Sequence, residues 1–202
     1  WMGQKGRSKK FFMSEYNPSI AESEIRFEHA LLNHLRQNGL DIVSGVIPCR
    51  DGSTFVKTSV QGRKATYWGL FEFLEGDNPY TWVKTDLTDA ELVSAANILA
   101  QLHHAGRDFI KPKGADRAQP RIMEFIPTFK SAFSSYAQQA GDRRCDRLFK
   151  ANRDRIFSVI DSCMAADKNY GGMLEVPVHC DYHPGNLKYK DEKCVGIFDF
   201  DW

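Results

Sequence analysis

The chain has 202 residues, 42% hydrophobic and 26% charged, with a formal net charge of +1. That composition supports a packed core and argues against disorder. The near-neutral balance gives no bulk electrostatic drive toward nucleic acid. No apolar run approaches the about 20 residues of a membrane span. Cys49, Cys145, Cys163, Cys180 and Cys194 are odd in number and contain no C-x-x-C pair. That pattern fits a reducing cytosol better than a disulfide scaffold or a structural zinc site. The opening WMGQKGRSKK has no apolar core of a secretory signal. The expectation is a cytoplasmic protein with a small-molecule partner, no nucleic acid and no membrane; its oligomeric state is not legible. The start at Trp1 and the stop at DFDW, inside a strand-to-loop transition, predict a fragment cut at both ends.

KFFMSEY, residues 10–16, reads as a strand broken by Asn-Pro-Ser. Ser19 and Glu22 have capping-box spacing and predict a helix of about 18 residues ending near Gly39. STFVKTSV (53–60) and ATYWGLFEFL (65–74) are β-rich and flank QGRK, a hairpin turn; Asp51-Gly52 is another turn. EGDNPYTW (75–82) is a break, with Glu75 and Asp77 either turn residues or a rim for cationic substrates. Thr88 with Glu91 forms a second capping box. Leu92, Ala95, Leu99 and Leu102 share one face of that helix, and Gly106 ends it. Residues 122–166 read as mostly helical, with Phe149, Ile156, Ile160 and Cys163 at helical spacing and GDRRCDR as a solvated face or turn. From residue 174 the pattern returns to β: LEVPVH, NLKYK, a DE turn and CVGIFDF. The predicted domains are a β-rich lobe over 1–75 and a mainly helical lobe over 76–202.

The chemistry concentrates in HCDYHPGN, residues 179–186. Pro and Gly forbid a helix there, so the polar groups sit on a loop. A metal site, a catalytic base and a simple turn all fit the octet alone. A second carboxylate, Asp199, follows Asn186 by thirteen residues. A hairpin over NLKYKDEKCVGIFD would bring it back beside Asn186. Asp199 and the Asn186 amide would then suit a hard cation such as Mg²⁺, leaving Asp181 to act as a base or to orient a hydroxyl. Phosphoryl transfer needs that division of labour. The helix carrying Glu28 places this carboxylate beside Ile25, Leu32 and Leu35, where it needs a partner. The H-x-D-x-H spacing at His183 admits a zinc or di-metal hydrolase, but Pro-Gly-Asn and the later DFD have no place in that reading. Asp181 beside Cys180 disfavours a thiolate nucleophile.

HCDYHPGN followed by IFDFDW resembles the kinase catalytic loop H-x-D-x-x-x-x-N and its metal-binding Asp. In detail it is similar to the aminoglycoside phosphotransferase and choline kinase-like family of small-molecule kinases, whose loop reads much like HxDxHPGN. FFMSEYNPS, EIRFEHALLNHL, GLFEFLEG and LAQLHHAG resemble, more weakly, that family's third strand, its helix, its hinge and the first large helix of its second lobe. The resemblance implies an α+β, two-lobed protein-kinase-like fold and transfer of phosphate from ATP or GTP to a small-molecule hydroxyl. It implies Asp181 as catalytic base, His179 supporting the loop, Asn186 and Asp199 as magnesium ligands, and Asp201 and His183 as further site residues. It implies Glu28 as partner of a phosphate-binding lysine, and the backbone at Glu72, Phe73 and Leu74 as the adenine-binding hinge. One departure stands out: Ser14 occupies the position of that lysine, with Lys10 and Lys57 as substitutes. A non-catalytic nucleotide-binding, pseudokinase-like module is therefore the alternative. A kinase acting on proteins is a third reading, against which HPGN and DFDW speak. Substrate identity is not in the sequence.

Overall fold

The structure is a computed structural model that describes residues 9–59, 62, 64–117, 122–167 and 174–200. Two compact units emerge: Trp1–Ala118 together with Glu175–Trp202, and Gln119–Leu174. Among the described residues no helix is long and apolar enough to cross a membrane.

In the first unit, β1 (Phe11–Glu15), β2 (Phe55–Thr58) and β3 (Thr66–Glu72) form an antiparallel sheet in the order β1-β3-β2. The register sets Phe12 against Phe71 and Ser14 against Gly69. Alternation sends Phe12, Ser14 and Tyr16 to one side, where all three line a cavity. Helix α1 (Glu22–Gln37) buries Ile25, Leu32 and Leu35 on a single stripe and carries Glu28 and His29 inward with them. It is two residues shorter than the predicted eighteen, and the predicted cap at Ser19 is wrong. Asn17 Oδ1 accepts from both the Ser19 amide (2.9 Å) and the Ser19 hydroxyl (2.8 Å), so this serine closes an Asx turn instead. The helix starts after Ala21, whose amide donates to the Glu24 carboxylate at 2.7 Å. Gly39, at φ +85°, ends it, and Leu40 N–H returns to the Leu35 carbonyl at 3.0 Å.

Helix α2 (Asp89–Ala105) opens with the expected box. Thr88 Oγ1 accepts from the Glu91 amide (3.2 Å), and the Thr88 amide donates to the Glu91 carboxylate (2.9 Å). Its buried face carries Ala95, Leu102 and Ala105, whereas Leu92 is exposed, contrary to the sequence pattern. Glu91 turns inward in that first turn, because its carboxylate also accepts from the Tyr80 hydroxyl at 2.6 Å. Near the end of the chain, β4 (Leu187–Lys190) and β5 (Lys193–Ile197) form the expected hairpin, with Asp191 and Glu192 both at positive φ in its two-residue turn. Leu187 and Ile197 are fully buried beside Val43 and Leu35 in the common core. The predicted strand at LEVPVH is absent: residues 174–179 form no regular element.

The second unit is a pair of helices, α3 (Ile122–Gln139) and α4 (Arg144–Asp167). Phe129, Phe133, Tyr136 and Phe149 pack ring against ring between them. Cys163, expected on the inner face, is exposed, and Ile160 is the buried position. GDRRCDR is not merely a solvated turn. Its Asp146 is fully buried, accepting from the Tyr136 hydroxyl and from Arg143 Nε at 3.1 Å. The Arg143 guanidinium, then the Tyr136 hydroxyl, hold its carboxyl well below the usual range.

Candidate active site

The loop 179–186 is held at its start by a buried histidine. His179 packs against Phe200 (ring centroids 4.6 Å apart) and Tyr182 (5.9 Å). Its Nε2–H donates to the Phe198 carbonyl at 2.9 Å. Burial pushes the imidazole pKa down, which keeps the ring neutral. Cys180 turns the chain through φ +64° and exposes its thiol. That turn presents Asp181, whose side chain is 43% exposed.

Asn186 is buried, and its Nδ2 donates twice to Asp181: to the carbonyl at 3.0 Å and to Oδ2 at 2.9 Å. His183 Nδ1 accepts from the Gly185 amide at 3.0 Å, so in the neutral ring the proton sits on Nε2. That nitrogen faces the same Asp181 Oδ2 at 3.5 Å. One oxygen of the Asp181 carboxylate is thus turned toward loop donors. Gly185 explains part of the motif's composition. A Cβ there would stand 2.6 Å from His183 Cε1, so only glycine admits the ring.

The hairpin returns the chain to this loop as its spacing predicts. Phe198 N–H donates to the Asn186 carbonyl at 3.1 Å. The same residue's carbonyl takes the His179 bond, so both faces of Phe198 are fixed just before Asp199. Asp199 itself adopts φ +69°, an uncommon conformation for a residue other than glycine.

A cavity of about 270 Å³ takes Ser14 and Tyr16 from the β1 segment, Glu28 from α1, Ser44, and Phe198 and Asp199 from the end of β5. Asp199 and Glu28 therefore share a cavity. Asp181 and Asn186 do not line it, and they reach Asp199 through the Phe198 backbone. Ser14 faces this cavity from the strand position where the resemblance would put a lysine. Tyr16 Oη donates to Glu28 Oε2 at 2.8 Å. The two lysines considered as substitutes make other contacts. Lys10 pairs with Glu75 at 3.1 Å and lies over the Phe73 ring, while Lys57 reaches Glu22 at 3.6 Å and lies over Tyr67.

Two of the residues expected at an adenine-binding hinge, Glu72 and Phe73, make other contacts. Glu72 N–H donates to the Gly45 carbonyl at 2.8 Å, and its carboxylate pairs with Lys9 (2.6 Å) and Arg36 (3.0 Å). Phe73 N–H donates to the Lys10 carbonyl at 3.3 Å. None of Glu72, Phe73 and Leu74 lines the cavity. Asp201 lies outside the described residues. Asn78 was not singled out by the sequence, yet its Nδ2 donates to the carbonyls of Gly185 (2.9 Å) and Leu187 (2.6 Å). Beside it, Asp77 and Tyr189 exchange backbone hydrogen bonds at 2.8 Å each. Asp77 is thus bridged through its backbone to β4.

The donor chemistry fits a hard cation. The Asn186 amide nitrogen is committed to Asp181, which turns its oxygen away from that residue, and Asp199 adds a carboxylate. Among the described residues no three His, Cys, Asp or Glu side chains gather as a metal cluster.

A sequence model of the phosphotransferase enzyme family matches residues 3–201. The homoserine kinase of Ralstonia nicotianae is 26% identical over 189 residues, which cover 90% of this chain and 49% of that protein. The homoserine kinase of Nitrobacter winogradskyi is 26% identical over 195 residues, 96% of this chain and 52% of that one. The chain thus spans about half the length of these curated relatives. Among solved structures, the aminoglycoside phosphotransferase of Alicyclobacillus acidocaldarius superposes with a TM-score of 0.62 at 16% identity, covering 96% of this chain and 57% of that one. The amicoumacin kinase hAmiN, in complex with AMP-PNP, Ca²⁺ and Ami, gives 0.61 at 15% identity, covering 95% and 51%. Those likenesses establish the kinase-like α+β fold, and the match over nearly the whole sequence places the chain in the phosphotransferase enzyme family.

Proposed function

We propose that the protein transfers a phosphoryl group from ATP or GTP to a hydroxyl of a small molecule. In this reading residues 1–75 hold the nucleotide and residues 76–202 carry the catalytic loop. The observation that carries it is the continuous path of bonds from Asp181 through Asn186 and Phe198 to Asp199. Asn186 bonds the Asp181 carboxylate at 2.9 Å and accepts Phe198 N–H at 3.1 Å, one residue before Asp199. Asp181 accepts or orients the proton of the acceptor hydroxyl. Asn186 and His183 hold one of its carboxylate oxygens, and His179 fixes the turn that aims Asp199. Asn186 and Asp199 would hold Mg²⁺, which neutralises phosphate charge when bound.

The named relatives make homoserine the first acceptor to screen. Ser14 favours a second reading, a non-catalytic nucleotide-binding module, because a hydroxyl faces the cavity at the lysine position. Calorimetric titration of ATP and GTP into the full-length protein, with and without Mg²⁺, separates the two. Metal-dependent binding followed by turnover of a hydroxyl substrate is expected. Absence of binding by either nucleotide, in demonstrably folded protein, would overturn the kinase reading.

A further inference from the structure

We propose that Tyr16 is a positioning residue, the last link of a one-way hydrogen-bond chain, Thr54–His29–Tyr16–Glu28, that holds the Glu28 carboxylate toward the nucleotide's cation. The proposal rests on the kinase reading above.

Three contacts of 2.8 Å build the chain: Thr54 Oγ1 to His29 Nδ1, His29 Nε2 to Tyr16 Oη, and Tyr16 Oη to Glu28 Oε2. Tyr16, Glu28 and His29 are all more than nine-tenths buried. His29 is fully buried and wedged edge-on against Phe71, with ring centroids 5.3 Å apart, an apolar enclosure that disfavours a charged ring. A neutral imidazole has one donor and one acceptor. Tyr16 has a single hydroxyl proton and gives it to Glu28. His29 Nε2 must then carry hydrogen and donate to the Tyr16 oxygen. Nδ1 is left as acceptor, and Thr54 donates to it. Every proton points toward Glu28, and such a chain strengthens its terminal bond.

Glu28 and Asp199 share one cavity. Phosphates are anionic, so a carboxylate beside them acts through the metal ion they carry. Fixing Glu28 would therefore fix an oxygen donor toward that ion. Neither His29 nor Thr54 lines the cavity, so the chain is a support behind the site.

The test has two arms. In ¹⁵N NMR of the wild-type protein, His29 is expected as the Nε2–H tautomer. An Nδ1–H tautomer would direct the Tyr16 proton to the ring and overturn the chain. In titrations, Tyr16→Phe is expected to weaken ATP binding about tenfold with Mg²⁺ present and by much less without metal. Thr54→Val, milder and remote from the cavity, is expected to act in the same direction. Unchanged Mg-ATP affinity in both folded variants, or equal weakening with and without metal, would overturn the positioning role while the kinase reading stood. A wild-type protein that binds no nucleotide would remove the kinase reading, and the positioning role with it.

Discussion

His179 and Phe198 are nineteen residues apart, and the imidazole of the first donates to the carbonyl of the second at 2.9 Å. This bond is half-buried and sits one residue before Asp199. His179→Phe keeps a ring in the same space but removes the donor. Leaving a buried carbonyl unpaired costs about 1–3 kcal/mol. Urea unfolding is expected to show that loss, together with weaker metal-dependent nucleotide binding. Wild-type values in both would reduce His179 to packing.

Asp181→Asn retains a side-chain oxygen for Asn186 Nδ2 and removes the proposed base. Turnover is expected to fall roughly 10²–10⁴-fold, with nucleotide affinity near wild type. Steady-state kinetics and calorimetry on one preparation decide this. Parallel loss of turnover and affinity would mean that Asp181 serves binding.

Asp199→Asn removes the carboxylate of the proposed donor pair. ATP binding is expected to lose its dependence on Mg²⁺ concentration. If the dependence is unchanged, Asp199 is not a ligand.

Gly185→Ala would place a methyl 2.6 Å from the His183 ring. The ring must move, and overpacking of this kind costs about 1–3 kcal/mol. The variant is expected to melt lower and to turn over more slowly, because His183 leaves Asp181. His183→Ala in the same background is expected to recover most of the stability and none of the rate.

The pH dependence of stability follows from two buried histidines. Burial lowers the His29 pKa to about 4 from the ordinary 6.5 and lowers that of His179 as well. Below the unfolded value of about 6.5 the unfolded chain binds protons that the native state refuses, so stability falls with pH in that window. It is complete above about pH 6.5 and is lost toward pH 4. His29 alone accounts for roughly 3 kcal/mol over that window. Asp146, held low by Arg143 and Tyr136, acts in the same sense at more acid pH. Urea midpoints at about pH 7 and about pH 4.5 measure the drop, and a flat profile would contradict the burial argument.

Local signals were the legible ones. The Thr88–Glu91 cap, the β2–β3 hairpin and the loop's Asp181–Asn186 pair all lie within short sequence distances, where spacing fixes geometry. The approach of Asp199 to Asn186 was legible too, because a hairpin joins them. Ser19 misled because Asn17, two residues earlier, captures its hydroxyl, and no periodicity reveals that competition. Leu92 misled because Glu91 had a partner, Tyr80, eleven residues away. Glu28 stood out as a carboxylate on an apolar face, but Tyr16 and His29 read as ordinary strand and helix residues. Asn78 carried no signal, since its acceptors are backbone carbonyls more than a hundred residues later.

That last separation sets a clock on synthesis. Asn78 must wait for Gly185, 107 residues downstream, before its amide is satisfied. At about 5–20 residues per second, that is roughly 5–20 s on the ribosome. The helical unit Gln119–Leu174 emerges in the interval. Until Gly185 and Leu187 arrive, the segment around Asn78 has a nascent-chain vulnerability that the finished protein lacks. Ribosome-bound chains halted before residue 185 should be nicked by protease around residues 75–82, and chains released past β5 should resist.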